Sequence, residues 1–431
     1  MLKQLNIEQI DQLQSYIEER RVVMNPALIG RVSAILEDVR MHGDEAVLRY
    51  TKQFDGMELN KLRVSSEELN AQADLCTPEF RRSMQQAKEN ILFYHQAQIS
   101  KGYRLEKEMG IYLGQRVLPL DSVGIYVPGG SAQYPSSVLM NALPARLAGV
   151  KRIVMLTPPS KEGSIHPNIA LAAKLVGIDE VYKVGGAQGI AALAYGTQSI
   201  AKVDKIVGPG NVYVACAKKL VFGDVDIDMI AGPSEILVIG DEGANPKWIA
   251  ADLLSQAEHD PQASAVLLAV SQNMVDAVKQ ELQKQTRCLP RQKIIHESLE
   301  NYGLALVCES LQQCVDISNQ IAPEHLELMV DKPEELLPLV RHAGSVFLGY
   351  ATCESVGDYF GGTNHVLPTG GTARFFNPLG VDSFVKKSSY LHYSIEALQA
   401  YGDSIITLAE AEQLQAHANA VKVRTFSFSA G

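Results

Sequence analysis

The sequence predicts an α/β protein built on parallel sheets, and three observations carry that prediction. Short β-branched runs ending in Gly or Pro (RVLPLDSVGIYVPGG, KRIVMLTPP, DEVYKVGG and VDKIVGPG) alternate with helical segments such as SSVLMNALPARLAGV and IAALAYGTQSIA. Strands separated by helices of that length join in parallel within one sheet. The same grammar then restarts in SEILVIGDEGANPKWIAADLLSQAEHDPQASAVLLAVSQNMVDAVKQELQKQ, so two related modules are expected, with a cleft between them. Third, a chain of 431 residues with 46% apolar and 20% charged residues suits about two to three globular domains with substantial cores.

Taken in order, the start MLKQLNIEQIDQLQSYIEERR reads as an amphipathic helix, without the apolar stretch and small-residue cleavage site of a signal peptide. Residues 1–100 read as helices throughout, with apolar positions at helical spacing and stops at HGD and FDG. Strand-and-helix alternation begins near residue 110. Residues 350–380 form a long glycine-rich segment with little periodicity, expected to be a functional loop because it carries Asp, His, Arg and aromatics. After about residue 385 the chain returns to helices, read as a tail that docks elsewhere.

Charge and cysteine usage exclude several classes. With 49 acidic against 39 basic residues the net charge is −10, and no basic run interrupts it, which argues against nucleic-acid or anionic-membrane partners. No window approaches the apolar length of a membrane span. The six cysteines fall at irregular spacings with no C-x-x-C, as expected of reduced thiols in a cytoplasmic protein.

Several residues invite chemistry. In LLSQAEHDP, Gln256 and His259 stand three apart near the end of a helix and share a face, half of a metal site. A solvated helix end gives the same letters, and no H-E-x-x-H or Cys-based zinc pattern occurs, so any metal must recruit distant ligands. Asp358 and His417 are available for that. GPGNVY (208–213) half-matches a dinucleotide fingerprint and fails at Tyr213, and VGGAQG (184–189) follows a strand without the required spacing. Neither a phosphate-binding P-loop nor G-x-S-x-G is present. Cys353 in the glycine-rich segment is a candidate nucleophile for aldehyde oxidation, but it has no basic neighbour in sequence to activate it, and an inert thiol is the plainer reading. Arg374 and Tyr126 suit either an anionic cofactor or simple packing.

In IAPEHLELMV, Glu324 and His325 adjoin directly after Pro323. A helix starting at Pro323 would set His325 near the positive end of its dipole and keep the ring neutral, available as a base. A surface Glu-His pair is the plain alternative.

These motifs together resemble the histidinol dehydrogenase family. The resemblance is carried by IDMIAGPSEILVIGDEGANPKWIAADLLSQAEHD (227–260), VGIYVPGGSAQYPSSVLMNALPARLAGV, KVGGAQGIAALAYGT, VGPGNVYV, IAPEHLEL and GDYFGGTNHVLPTGGTAR, and runs from about residue 25 to the C-terminus. It implies oxidation of L-histidinol through L-histidinal to L-histidine with two NAD⁺, in histidine biosynthesis, by a cytoplasmic homodimer with shared active sites. It implies one Zn²⁺ per subunit held by Gln256, His259, Asp358 and His417, with Glu324 and His325 catalytic. Substrate contacts implied are Ser234, Gln256, His259, His325, Asp358, His365, Glu412 and His417, and NAD contacts are Tyr126, Gln188 and Asn211. The implied fold has two related, incomplete Rossmann-like modules with an N-terminal helical segment (1–22) and a helical C-terminal tail (385–431) that reaches the partner subunit. The first, catalytic α/β domain is expected to be discontinuous (23–120 and 236–380), and the second, NAD-binding, to span 121–235. A metal-dependent hydrolase using Glu324 to activate water, and a relative that binds a small amine without turnover, are the rival readings.

Overall fold

The computed structural model describes residues 2–5, 10–19, 24–129 and 133–425. Parts of the expected N-terminal segment (1, 6–9, 20–22), the first residue of the expected first α/β domain (23), part of the expected second one (130–132) and the end of the expected tail (426–431) lie outside the described residues. Among the described residues there are fourteen strands in chain order: β1 (Lys3–Leu5), β2 (Tyr103–Glu106), β3 (Tyr112–Pro119), β4 (Ser122–Tyr126), β5 (Arg152–Thr157), β6 (Glu180–Lys183), β7 (Lys205–Val207), β8 (Asp226–Ile227), β9 (Glu235–Gly240), β10 (Ser264–Ala269), β11 (Gly303–Val307), β12 (His325–Met329), β13 (Ser345–Leu348) and β14 (Val385–His392). They form three sheets. The chain divides into two compact units, one of residues 1–98 and 120–384, the other of residues 99–119 and 385–431.

The first unit contains two parallel sheets, as the sequence grammar predicts. One has the order β6-β5-β4-β7-β8 and the other β1-β11-β10-β9-β12-β13. In each, the strand order reverses at one point: between β4 and β7 in the five-stranded sheet, and between β9 and β12 in the six-stranded one. The central strands β9 (EILVIG) and β10 (SAVLLA) are buried along their whole length, because helices cover both faces of a parallel sheet.

Both faces of the five-stranded sheet are covered partly by the N-terminal helices that the sequence groups with residues 236–380. On one face Val123 and Ile125 pack with Met84 and Ile91 of the helix Pro78–Gln96; on the other Val154 and Leu156 join a cluster with Leu28, Val32 and Val39 of the helix Pro26–His42. Those three recur at helical spacing, and each fully buried side chain contributes about 1.5–3 kcal/mol. Their sum exceeds the roughly 1 kcal/mol that Gly30 costs inside the same helix. Asn25 and Thr77 cap these helices from the side chain, each followed by Pro at the first position.

One sequence expectation is corrected at the start of the chain. Among the described residues the amphipathic helix covers Ile10–Glu19, and Lys3–Leu5 is instead a strand that adds to β11 in parallel. Leu2 and Leu5 are buried on that edge, and a short segment gains more from ladder hydrogen bonds than from a helix nucleus.

The second unit is an antiparallel sheet of order β14-β3-β2, followed by the helices Ile395–Ala411 and Gln415–Thr425, which pack on each other. The helical C-terminal segment is therefore present, preceded by the long strand β14. No helix among the described residues is long and apolar enough to cross a membrane.

Candidate metal and dinucleotide sites

The glycine-rich segment after residue 350 is more ordered than its letters imply. It opens with a helix, Glu354–Tyr359, so Asp358 stands on a helix rather than in a loop. Glu354 and Asp358, four apart, project from one face of it. The helix Pro246–Ala257 supplies Gln256 in its last turn, and His259 follows in the turn that closes it, its N–H donating to the Gln256 carbonyl at 3.1 Å. Ligand atoms of His259, Glu354 and Asp358 all lie within 4.8 Å of one another.

Gln256 is fully buried behind this cluster. With its amide NH₂ turned to the Glu354 carboxylate, its oxygen lies 2.8 Å from the Glu235 nitrogen and shares that N–H with Glu324 Oε2. Glu354 is held from two further sides: its Oε2 accepts from Ser255 Oγ at 3.0 Å, and its N–H donates to Glu327 Oε1 at 2.8 Å. Burial pushes its carboxyl up to about 7, and that of Asp252, behind it, to about 6. For Asp358 burial acts upward too, but the facing imidazoles, above all His325, outweigh it and hold the group below the usual carboxylate range. Burial lowers His259, keeping its ring neutral and fit to ligate.

Glu324 and His325 face the same place, but by a different route from the one the sequence suggests. No helix begins at Pro323. The preceding helix Leu311–Ile321 ends on Ala322, whose left-handed backbone (φ 53°) turns the chain, and His325 opens strand β12 between β9 and β13. The strand wins because HLELM is buried throughout and alternates Leu326 and Leu328 against one core. Glu324 Oε2 accepts from the Glu235 N–H at 2.8 Å, and His325 Nδ1 lies 2.9 Å from the Glu235 carbonyl oxygen. A carbonyl only accepts, so Nδ1 carries a proton and Nε2 points to the cluster, 3.6 Å from Asp358 Oδ1. The expectation that a helix dipole keeps His325 neutral is likewise corrected. Burial does oppose its imidazolium, but Glu324, Glu354 and Asp358 outweigh it and raise the group well above the ordinary imidazole range. Burial pushes Glu324 up to about 8.

His365 Nδ1 donates to the Asp358 carbonyl at 2.9 Å, and its Nε2 is 3.1 Å from Ser137 Oγ, tying the segment after Asp358 to the helix Pro135–Ala148. Ser234 stands immediately before β9, its carbonyl accepting from the Ser264 N–H at 3.0 Å. Glu412 and His417 belong to the second unit, at the end of Ile395–Ala411 and in Gln415–Thr425, both exposed. Arg374 donates to the carbonyls of Asn319 and Gln320, so it closes the end of a helix, the packing alternative of its sequence reading. Cys353 occupies the position before the Glu354 helix without a side-chain hydrogen bond to its first turn.

Sequence reasoning missed Glu354, which the structure sets beside His259 and Asp358. The signal is in CESVGD, where two carboxylates at i and i+4 imply one helix face. It also missed Glu235, whose backbone N–H and C=O orient both Glu324 and His325.

The other candidate residues gather at the carboxyl edge of the five-stranded sheet, next to its β4/β7 reversal, where ligands bind in open α/β sheets. Tyr126 ends β4, and its hydroxyl accepts from the Gly186 N–H at 3.1 Å; burial pushes it up to about 12. Gly186 opens the helix Gly186–Tyr195 after β6, and Gln188 in its first turn is buried with neither amide atom hydrogen-bonded within the described residues. A buried amide without protein partners leaves room for an ordered water or a polar ligand beside it. Asn211 caps the helix Val212–Val221: its Oδ1 accepts from the N–H groups of Tyr213 and Val214, which leaves its NH₂ to donate outward.

A sequence model of the family described as histidinol dehydrogenase matches residues 18–425. The chain is 52% identical over 408 residues to the histidinol dehydrogenase of Clostridium acetobutylicum, covering 95% of each chain, and 52% identical over 395 residues to that of Listeria monocytogenes, covering 92% of each. The crystal structure of histidinol dehydrogenase from Elizabethkingia anophelis superposes with a TM-score of 0.95 at 40% identity, covering 100% of this chain and 99% of that one.

Proposed function

We infer, for a chain that belongs to the histidinol dehydrogenase family, that it oxidises L-histidinol through L-histidinal to L-histidine with two NAD⁺ in the cytoplasm, as a step of histidine biosynthesis. The observation that carries this reading is the position of His325, whose Nε2 faces a cluster built to hold a cation and whose Nδ1 is fixed on Glu235.

The cluster fits zinc by its chemistry. His259, Glu354 and Asp358 offer one nitrogen and two carboxylates in close array, and no Lys or Arg among the described residues pairs with Glu354 or Asp358. Buried carboxylates without a cation are costly. We assign the ligands to Gln256, His259 and Asp358, with His417 supplied by the second unit of a partner chain in a homodimer. Glu354 orients the Gln256 amide. When bound, zinc supplies a cationic template for the substrate's imidazole and amino group, and NAD⁺ supplies the hydride acceptor.

The residues of the chain divide the remaining work. In the alcohol step His325 Nε2 takes the hydroxyl proton as hydride leaves the carbon; the carboxylates around it favour its protonated form, and a cation bound among them would offset that and leave Nε2 free to accept. In the aldehyde step Glu324, whose carboxyl burial raises to about 8, takes a proton from the attacking water when ionised, and His325 takes one from the hydrate. Ser234, His365 and Glu412, with the metal ligands, complete the substrate contacts. Tyr126, Gln188 and Asn211 hold the dinucleotide at the carboxyl edge of the five-stranded sheet.

The decisive experiment is near-ultraviolet absorbance of reduced nicotinamide on mixing L-histidinol with NAD⁺, with and without a chelator. Growth of the signal, abolished by chelation and restored by zinc, is expected. Absence of signal from metal-replete protein overturns the reading.

A further inference from the structure

The loop Gly208–Pro209–Gly210–Asn211 leaves β7 and delivers Asn211 to the head of its helix. Gly208 sits at φ 109°, and a Cβ there would lie 2.2 Å from the Tyr126 carbonyl oxygen, so the loop packs directly on the backbone of β4. Only glycine tolerates that approach. Such contact buries the Gly208 amide, and a buried N–H and C=O must each find a partner.

Both partners come from one ion pair. Lys218 Nζ donates to the Gly208 carbonyl at 3.0 Å, and Asp228 Oδ2 accepts from the Gly208 N–H at 2.8 Å. Lys218 and Asp228 are salt-bridged to each other, their side chains 3% and 1% exposed, and Asp228 Oδ1 also accepts from the Met229 N–H at 2.6 Å. Lys218 rides on the helix that Asn211 caps, and Asp228 follows directly on β8. The pair therefore links that helix, the end of the sheet and the loop.

Buried ion pairs add little net stability, since desolvation consumes most of the attraction. An apolar pair would fill the same space but leave Gly208 without partners, so the pair's distinctive effect is on loop geometry. We propose that Lys218 and Asp228 are positioning residues for dinucleotide binding: they fix the 208–211 loop against β4, and so the spacing of Asn211 and Tyr126, without touching the cofactor. This rests on the dinucleotide site assigned above.

The test compares Lys218→Met, the double variant Lys218→Met/Asp228→Asn, and Lys218→Arg in the zinc-loaded enzyme, with Gln188→Ala as reference. Lys218→Met should raise KM for NAD⁺ at least about tenfold, while kcat at saturating NAD⁺ and KM for histidinol stay within about twofold, the signature of lost uniform binding. The double variant leaves no lone buried charge and should recover Tm without recovering KM, because Gly208 still lacks its donor. A KM that returns together with Tm overturns the proposal, as does an unchanged KM in folded Lys218→Met. Should Lys218→Met fail to fold, Lys218→Arg carries the test: it retains charge and donors in a bulkier head, and KM for NAD⁺ should rise at near-native Tm, an unchanged value overturning the proposal. If Gln188→Ala leaves KM for NAD⁺ unaltered, the site assignment itself fails and takes this inference with it. If Gln188→Ala raises KM and the Lys218 variants do not, the inference alone fails.

Discussion

His325 donates through Nδ1 to the carbonyl oxygen of Glu235 at 2.9 Å, and that single bond decides which ring nitrogen is left to act as a base. His325→Asn retains a donor near Nδ1 and removes the basic nitrogen, so it separates orientation from proton transfer. Tm should change little, whereas the alcohol step should slow by about 10²–10⁴-fold and the aldehyde step should slow as well. Single-turnover rates for each half-reaction are the measurement; an alcohol step at the native rate would exclude His325 as its base.

Glu324 hangs on the same residue, its Oε2 accepting from the Glu235 N–H. In Glu324→Gln an oxygen can still accept that bond, but the side chain cannot take a proton from water. Only the aldehyde step requires activated water. That step should fall by about 10²-fold or more, and the alcohol step by less than about tenfold. Equal losses in both half-reactions would remove Glu324 from the water-activating role.

The parts of this architecture legible in sequence are those governed by local periodicity. Runs such as EILVIG and SAVLLA are continuous and apolar because both faces of their sheet are buried, and Gln256 and His259 declare a shared face by their spacing. What was not legible depends on contacts far along the chain. His325 was expected at a helix start, yet its strand exists because β9 and β13 lie on either side. Strand β14 reads VKKSSYLH, with no apolar alternation across its middle, and is defined by its eight-residue register with β3. The ion pair of Lys218 and Asp228 is ten residues apart in sequence and resembles any two solvated charges until burial is known.

His417 is exposed on a helix of the second unit, so its side chain adds little to the stability of its own chain. His417→Asn should leave Tm of the metal-free protein unaltered. Bound zinc and activity should fall together, by at least the roughly 10- to 100-fold seen for groups one step removed from a metal. Metal analysis beside turnover decides it, and native zinc content in an inactive variant would reassign His417 from ligand to substrate contact.

Asp55 is a half-buried titratable group that the proposed chemistry leaves idle, and it makes a prediction about pH. It ends the helix Asp44–Asp55, its Oδ2 is buried without a hydrogen bond among the described residues, and Oδ1 lies close to Gly185. Burial raises its carboxyl from 3.8 to about 6. A carboxyl whose folded pKa exceeds its unfolded one favours the folded state when protonated. That contribution is complete below about pH 4 and is lost as pH rises through about 6. Asp55→Asn mimics the protonated form, so it should be more stable than the parent at about pH 8, by roughly 1 kcal/mol after allowance for the group's partial exposure to solvent. The difference should vanish near pH 4. Urea unfolding of both proteins across this range is the test: a gap independent of pH would show that packing of the side chain, and not its ionisation, sets the difference.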